Sequence, residues 1–361
     1  MRYRLLIACI AVLSAAFLLI SLQPSAAVPI VRKPLVGGAK GIDRVFLIMM
    51  ENQNFDEVIG RYATEDVPPP SYPVTPYITS LASTYGLATL YFGVTHPSLP
   101  NYLSQIGGDW FNVSDDNPSC AVQPPQVPCH ALIKGQNLID QIEASGRTWI
   151  AYEQSMPSVG YLGNTWPTSG STVLYAMKHN PFVYFQDIAT NPARLAKIVP
   201  YNKESDIAAS LSNPATAPQF VYIVPDQCHD MHGTGACPGY PDAGGDNGPP
   251  AYNALLLAGD KAVKNLVYTI TSSRAFTPRS IIVVVWDEDD YYSSLGCCKS
   301  PRIGGGHIAA IVIPGTYTGA RRDATLYNHY SLLKTIEDGW GFARLRNAAD
   351  PSINTMFDLV P

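Results

Sequence analysis

Residues 281–290 read Ile281-Ile282-Val283-Val284-Val285-Trp286-Asp287-Glu288-Asp289-Asp290. An apolar, mostly β-branched run gives way at one peptide bond to four carboxylates. A run without apolar–polar alternation predicts a strand buried on both faces, hence a parallel sheet covered by helices. Three more segments have the same form. Residues 45–50 run into Glu51-Asn52, residues 148–152 into Glu153-Gln154, and residues 220–224 into Pro225-Asp226. In such sheets ligands bind beyond the carboxyl ends of the strands, which is where this sequence gathers its polar residues.

Between these runs the spacing predicts helices over residues 138–144, 251–271 and 330–339. The first is stopped by Ser145-Gly146. The second carries an apolar stripe at Leu255, Leu256, Ala262, Val263, Leu266 and Val267. A further strand is expected over 308–313, after Gly304-Gly305-Gly306-His307. Residues 109–136 and 156–200 lack clear periodicity and read as long loops around a site. Neither a repeat nor a linker interrupts the pattern, so one α/β domain over residues 28–361 is expected, a mostly parallel sheet covered by helices.

The first residues, Met1-Arg2-Tyr3-Arg4, lead an apolar run that ends near Ser25-Ala26-Ala27. A basic start, an apolar stretch and small residues read as a signal peptide, residues 1–27. An uncleaved anchor is the alternative, but the run is short for a span. The expected location is secreted or periplasmic, without stable membrane insertion after cleavage. The formal charge is −5, and no basic run of the nucleic-acid type is present. Cys9 lies in the leader, and six cysteines follow it. That even number suits an oxidising compartment. Proximity suggests Cys120 with Cys129, Cys228 with Cys237, and Cys297 with Cys298. Thiolate zinc binding is the rival, without CxxC spacing to support it.

Four clusters carry chemistry. Thr95-His96-Pro97-Ser98-Leu99-Pro100-Asn101 puts a hydroxyl at the mouth of a helix, where free N–H groups favour an anion. Asn101, three residues on, offers an amide to a phosphoryl or sulfuryl oxygen. Glu51-Asn52 and Asp287-Glu288 supply hard oxygen donors for a divalent ion. Asp226-Gln227-Cys228-His229-Asp230-Met231-His232 gathers carboxylates and imidazoles for metal binding or proton transfer. Gly306-His307 allows close backbone approach before a histidine. His96 and His179 are candidate phosphate contacts; His130 and His329 read as structural or peripheral.

Together, Glu51-Asn52-Gln53-Asn54-Phe55-Asp56, residues 97–103, residues 225–232, Trp286-Asp287-Glu288 and Gly306-His307 resemble, in order, the phosphoesterase family of bacterial acid phosphatases and non-specific phospholipases C. That family is alkaline phosphatase-like. The resemblance implies the α/β/α sandwich, Ser98 as a nucleophile forming a phosphoseryl intermediate, and Asn101 as a phosphate-binding amide. It implies one or two divalent metal ions on Glu51, Asn52, Asp287 and Glu288. His229, Asp230 and His307 would bind phosphate, protonate the leaving oxygen or hold a second metal, with Asp226 in that second set. This family has Asp-Glu where two-metal relatives carry Asp-His after the late strand.

The implied activity is phosphoric ester hydrolysis, with a phosphate ester as the partner and an acid phosphatase-like phosphomonoesterase as the leading form. The alternative is a phospholipase C. The sequence ends soon after the helix expected over 330–339, so the extra C-terminal β domains that many bacterial phospholipases C carry are not expected. A sulfatase is disfavoured because no Arg completes a C/S-x-P-x-R motif at Ser98. A catalytically silent binding protein on the same fold is disfavoured by the intact Ser98, Asn101, Glu51 and Asp287.

Overall fold

The computed structural model describes residues 41–59, 74–117, 132–168, 173–235, 237, 248–290, 293–317 and 319–360, all within one compact unit, Pro34–Pro361. The signal-peptide reading and the Cys120–Cys129 pairing lie outside the described residues. The strands are β1 (Arg44–Met50), β2 (Gly86–Phe92), β3 (Trp149–Gln154), β4 (Thr165–Trp166), β5 (Tyr175–Ala176), β6 (Ile198–Tyr201), β7 (Phe220–Val224), β8 (Ser280–Trp286), β9 (His307–Pro314), β10 (Arg321–Asp323) and β11 (Tyr327–Asn328). The helices are α1 (Phe55–Ile59), α2 (Pro76–Thr84), α3 (Ser98–Gly107), α4 (Leu138–Ala144), α5 (Gln186–Ala189), α6 (Pro192–Leu195), α7 (Glu204–Leu211), α8 (Gly248–Thr271) and α9 (His329–Trp340).

The main sheet runs β10-β2-β9-β8-β1-β7-β3-β6, with β11 also on β2. Every pair in it is parallel except those of β9, which is antiparallel to β2 and to β8. Central β1 and β8 are buried at every residue, as their unalternating sequences require. The helices pack in two groups, α1, α2, α7 and α8 together and α3, α4 and α9 together, giving helix, sheet and helix layers. Arg44 is buried at the start of β1. Its guanidinium donates to the carbonyls of Pro218, Ala275, Pro214 and Ala217, so every nitrogen of a cation inside the core is hydrogen-bonded.

Two expectations change. β3 extends through Glu153 and Gln154, so these residues belong to the strand itself; both continue its pairing with β6. Residues 156–200 are not one loop. They carry the β4–β5 pair, α5, α6 and the start of β6, elements too short to show a hydrophobic period. No helix among the described residues is long and apolar enough to cross a membrane.

Candidate active site

The carboxyl ends of β1 and β8, adjacent in the sheet, bring Glu51 beside Asp287 and Glu288. All three are buried. The Glu51 N–H donates to the Asp230 carbonyl and the Asp287 N–H to the Met50 carbonyl, which fixes both backbones. Ser98 opens α3 and is itself buried. Its Oγ donates to Glu51 Oε2 at 2.9 Å and lies 3.2 Å from Glu288 Oε1. The helix mouth, the hydroxyl and the acidic strand ends therefore meet.

Burial dominates the electrostatics. It raises Glu51 to about 8 and Glu288 to about 7, His96 opposing the rise at Glu288, and it raises Asp287 and Asp230 well above the usual carboxylate range. The Ser98 hydroxyl is near enough to moderate the charge on Asp287, but neither Asp287 oxygen accepts a hydrogen bond of good geometry. Glu51 Oε1 and Asp230 Oδ2 are likewise buried without one. Unmatched oxygens in such a cluster are what a bound cation satisfies.

Histidines close the cluster on two sides. His96 Nδ1 lies 2.6 Å from Glu288 Oε2, and its Nε2 lies 3.3 Å from Asp289 Oδ1. Burial alone would lower His96, but its bonds to Asp289 and Glu288 carry it up to about 10. His179 Nε2 lies 3.1 Å from Glu51 Oε1, and its ring stacks on Tyr102. Burial, then Lys178 and His232, hold His179 well below its ordinary value. His232 is pushed down to about 4 by burial and by Lys178, whose Nζ is 3.1 Å from its Nε2. Neutral imidazoles are the form that binds metal. Glu51, His179 and His232 offer atoms within 4.8 Å of one another, a group that could hold a metal ion. Lys178 also meets Asp116 at 2.8 Å, and Asp116 accepts the Leu99 N–H at the mouth of α3.

Several sequence-predicted residues stand elsewhere. The Asn101 amide is spent within its own loop. Its oxygen accepts from the Val94 and Thr95 N–H groups, and its nitrogen donates to the Thr95 and Pro97 carbonyls. His307 stacks on Phe55 with Nε2 on the Thr89 carbonyl. Asp226 accepts from Ser155 Oγ and lies 2.9 Å from His229 Nδ1, so His229 is oriented by Asp226 and not by the Ser98 cluster. Asn52 is half-buried beside Glu51. Gly306 sits at φ 77° against Asp289, and Gly93 packs on the Gly305 backbone. Those glycines serve loop-on-loop contact, where a Cβ would not fit.

Two residues of the cluster were not assigned roles of their own in the sequence. Lys178 adjoins His179 in the chain, and His232 closes the 226–232 motif, so both had a local signal. His329 was read as structural or peripheral. It is buried with Nε2 2.6 Å from the Asp287 carbonyl, which supports the acidic strand end from behind. The Cys228–Cys237 and Cys297–Cys298 disulfides are formed as their proximity suggested.

The chain is 26% identical to a probable acid phosphatase of Kluyveromyces lactis over 312 residues, covering 86% of this chain and 61% of that protein. It is 27% identical to a phosphate-repressible acid phosphatase of Penicillium chrysogenum, covering 86% and 62%. It thus spans about three fifths of the length of those fungal relatives. It is also 27% identical to a phosphatidylinositol-3-phosphatase of Mycobacterium tuberculosis, covering 83% and 77%. The fold is shared with a lipoteichoic acid synthase, LtaP, from Listeria monocytogenes, at TM-score 0.52, 9% identity and coverages of 86% and 76%. It is shared with an alkaline phosphatase superfamily protein from Vibrio parahaemolyticus, at TM-score 0.51, 13% identity and coverages of 87% and 72%. The profile described as Phosphoesterase family matches residues 71–242 and 249–343. With most of its residues inside that match, the chain belongs to the phosphoesterase family.

Proposed function

We propose that the chain is a metal-dependent phosphoric ester hydrolase, a phosphomonoesterase that works through a phosphoserine at Ser98. The observation that carries this reading is the Ser98 hydroxyl at the mouth of α3, donating to Glu51 beside the unsatisfied carboxylate of Asp287. The relatives, acid phosphatases and a phosphatidylinositol-3-phosphatase, favour monoesters over the phospholipase C alternative. Residues 28–361 are proposed as the mature catalytic domain, secreted or periplasmic.

The donor set fits a divalent cation: Glu51, Asp287 and Glu288 are buried, and neither Asp287 oxygen accepts a hydrogen bond of good geometry. His179 and His232 would share Glu51 in holding a second ion. Bound there, a cation offsets the carboxylate repulsion and favours the ionised form of a nearby hydroxyl.

The chain's own residues divide the rest of the work. Ser98 Oγ attacks phosphorus as its proton passes to the carboxylates it already faces, and the bond from phosphorus to the leaving oxygen breaks as that oxygen takes up a proton. Lys178 and the first N–H groups of α3 hold phosphoryl oxygens, a role for which Asp116 is an internal stand-in in the free chain. Water then cleaves the phosphoserine, releasing inorganic phosphate and restoring the hydroxyl. Asn101 acts through the 94–97 loop, holding His96 and Ser98 in register.

The test is turnover of p-nitrophenyl phosphate by wild type and Ser98→Ala, with trapping of phosphorylated protein at low pH. The variant should lose on the order of a thousandfold or more in kcat and give no phosphoprotein. Residual activity within tenfold of wild type would place the nucleophile elsewhere.

A further inference from the structure

The mouth of α3 already holds an anion, and the chain itself supplies it. Asp116 Oδ1 accepts the Leu99 N–H at 3.0 Å, and its Oδ2 accepts from Lys178 Nζ at 2.8 Å. One carboxylate thus takes a donor from a helix start and a donor from a cation. A phosphoryl group beside Ser98 would use the same two. Ser98 opens that helix, and its Oγ reaches Glu51 at 2.9 Å. Glu51 Oε1 and both oxygens of Asp287 are buried there, and none of them accepts a hydrogen bond of good geometry. An anion held by Leu99 and Lys178 therefore stands next to the nucleophile.

The Asp116 carboxylate is held against its neighbours. It repels Glu51 and Glu288 and contributes to the rise of both. What keeps it in place is the Leu99 N–H and Lys178. Lys178 is itself mostly shielded from solvent. Burial alone would discharge it, but Glu51 and Asp116 outweigh that and keep it a cation. A shielded cation needs an anion beside it, and Asp116 is that anion when no phosphate is present. The carboxylate can also leave without breaking regular structure. Residues 112–117 form neither helix nor strand. The Asp116 side chain is 27% exposed, whereas those of Glu51 and Glu288 are 0% exposed.

We propose that Asp116 is a built-in competitor of phosphate: its carboxylate occupies the phosphoryl site of the free chain, and every substrate must displace it to reach Ser98. This concerns regulation of the site read above as a phosphomonoesterase, and it rests on that reading. The competition is intramolecular. It lowers the apparent affinity for any phosphate in proportion to the fraction of chains whose site is open. It also limits product inhibition, because the returning carboxylate displaces the inorganic phosphate just released. Lys178 stays paired throughout, first with Asp116 and then with the phosphoryl group.

Asp116→Ala and Asp116→Asn, made in the full chain, test it with inorganic phosphate as the probe. Isothermal calorimetry in one magnesium buffer should show the Kd for phosphate falling about tenfold in Asp116→Ala, the result for a wild-type site open in about one chain in ten. The fall should be smaller in Asp116→Asn, whose amide oxygen still accepts but carries no charge. Lys178→Gln should raise the Kd. The KM for p-nitrophenyl phosphate and the inhibition constant for phosphate should fall with Kd in the Asp116 variants. An Asp116 that only steadied Lys178 would give variants resembling Lys178→Gln. Weaker or unchanged phosphate binding in Asp116→Ala, or no binding in any of these proteins, would overturn the proposal. Asp116→Asn decides by the same criterion if the alanine variant does not fold. If Ser98→Ala keeps its turnover, the nucleophile assignment fails, while calorimetry still judges Asp116.

Discussion

Replacing Asp287 by Asn should have opposite effects with and without metal. Asp287 is fully buried between Glu51 and Glu288, and neither of its oxygens accepts a hydrogen bond of good geometry. A buried polar group left unsatisfied costs about 1–3 kcal/mol. Its repulsion with Glu51 and Glu288 adds to that, although protonation of the carboxyl caps the sum, as its raised pKa implies. The isosteric amide removes the charge and keeps the volume. In chelator, Asp287→Asn should therefore be more stable than wild type by about 1–3 kcal/mol, roughly 1–4 °C in Tm for a chain of this size. Divalent metal reverses the order. Ligand at a hundred times its Kd stabilises the native state by about 2.7 kcal/mol, and the variant should lose most of that gain. The assay is thermal denaturation at pH 7.5 in chelator and across manganese, calcium, magnesium and zinc titrations, with elemental analysis of the loaded proteins. A variant less stable than wild type in chelator, yet gaining as much from metal, would refute the claim that Asp287 is a charge awaiting a cation.

Asn101→Ala should lower Tm by several degrees as well as kcat, because four backbone groups of the 94–97 loop lose a buried partner at about 1 kcal/mol or more each; a Tm within a degree of wild type would remove Asn101 from that role. Glu337, raised to about 8 by burial, holds a proton in the folded chain that the unfolded chain releases above about 4.5. Its contribution is full below that lower value and is lost as pH rises through about 8. Glu337→Gln keeps an acceptor for the Leu345 N–H, so the Tm advantage of the variant over wild type should grow between pH 5 and pH 8 by an amount worth a few kcal/mol; a constant difference across that range would contradict it. Gly306→Ala should displace Asp289, which a Cβ would strike, and weaken the hold on His96; a crystal structure with the Asp289–His96 contact unmoved would count against this.

What the sequence disclosed followed from periodicity and position. Unbroken β-branched runs marked β1, β7 and β8, and abrupt transitions to carboxylates marked Glu51 and Asp287-Glu288 at the strand ends. Those signals are local, and the sheet brings them together because β1 and β8 are hydrogen-bonded neighbours. β2 was missed because Gly86-Leu87-Ala88-Thr89-Leu90-Tyr91-Phe92 has little β-branched character and a register shift between Ala88 and Tyr91. The direction of β9 had no sequence signal at all. Being buried on both faces, an antiparallel strand in a parallel sheet looks the same as its neighbours. Side-chain direction was the harder problem. Asp230 and His229 adjoin in one motif, and residue type alone suggested one role for both. The turn set by the Asp226 carbonyl sends one side chain to His179 and the other to the Asp226 carboxylate.

That divergence bears on how the family resemblance is applied to this chain. Order along the chain carries Asp226, His229 and His307 toward a second metal set, but a shared set needs side chains that converge. Here Asp226 is engaged by Ser155 and His229, and His307 by Thr89 and Phe55, while Glu51, His179 and His232 converge within 4.8 Å. A second ion, if the chain takes one, has its better-formed site on the latter three. His232→Ala should then reduce the bound metal by up to one ion per chain, whereas His307→Ala should leave the metal content unchanged. The measurement is elemental analysis of both variants after equilibration in the same metal buffer. Loss of metal in His307→Ala with retention in His232→Ala would return the second site to the residues that chain order alone indicates.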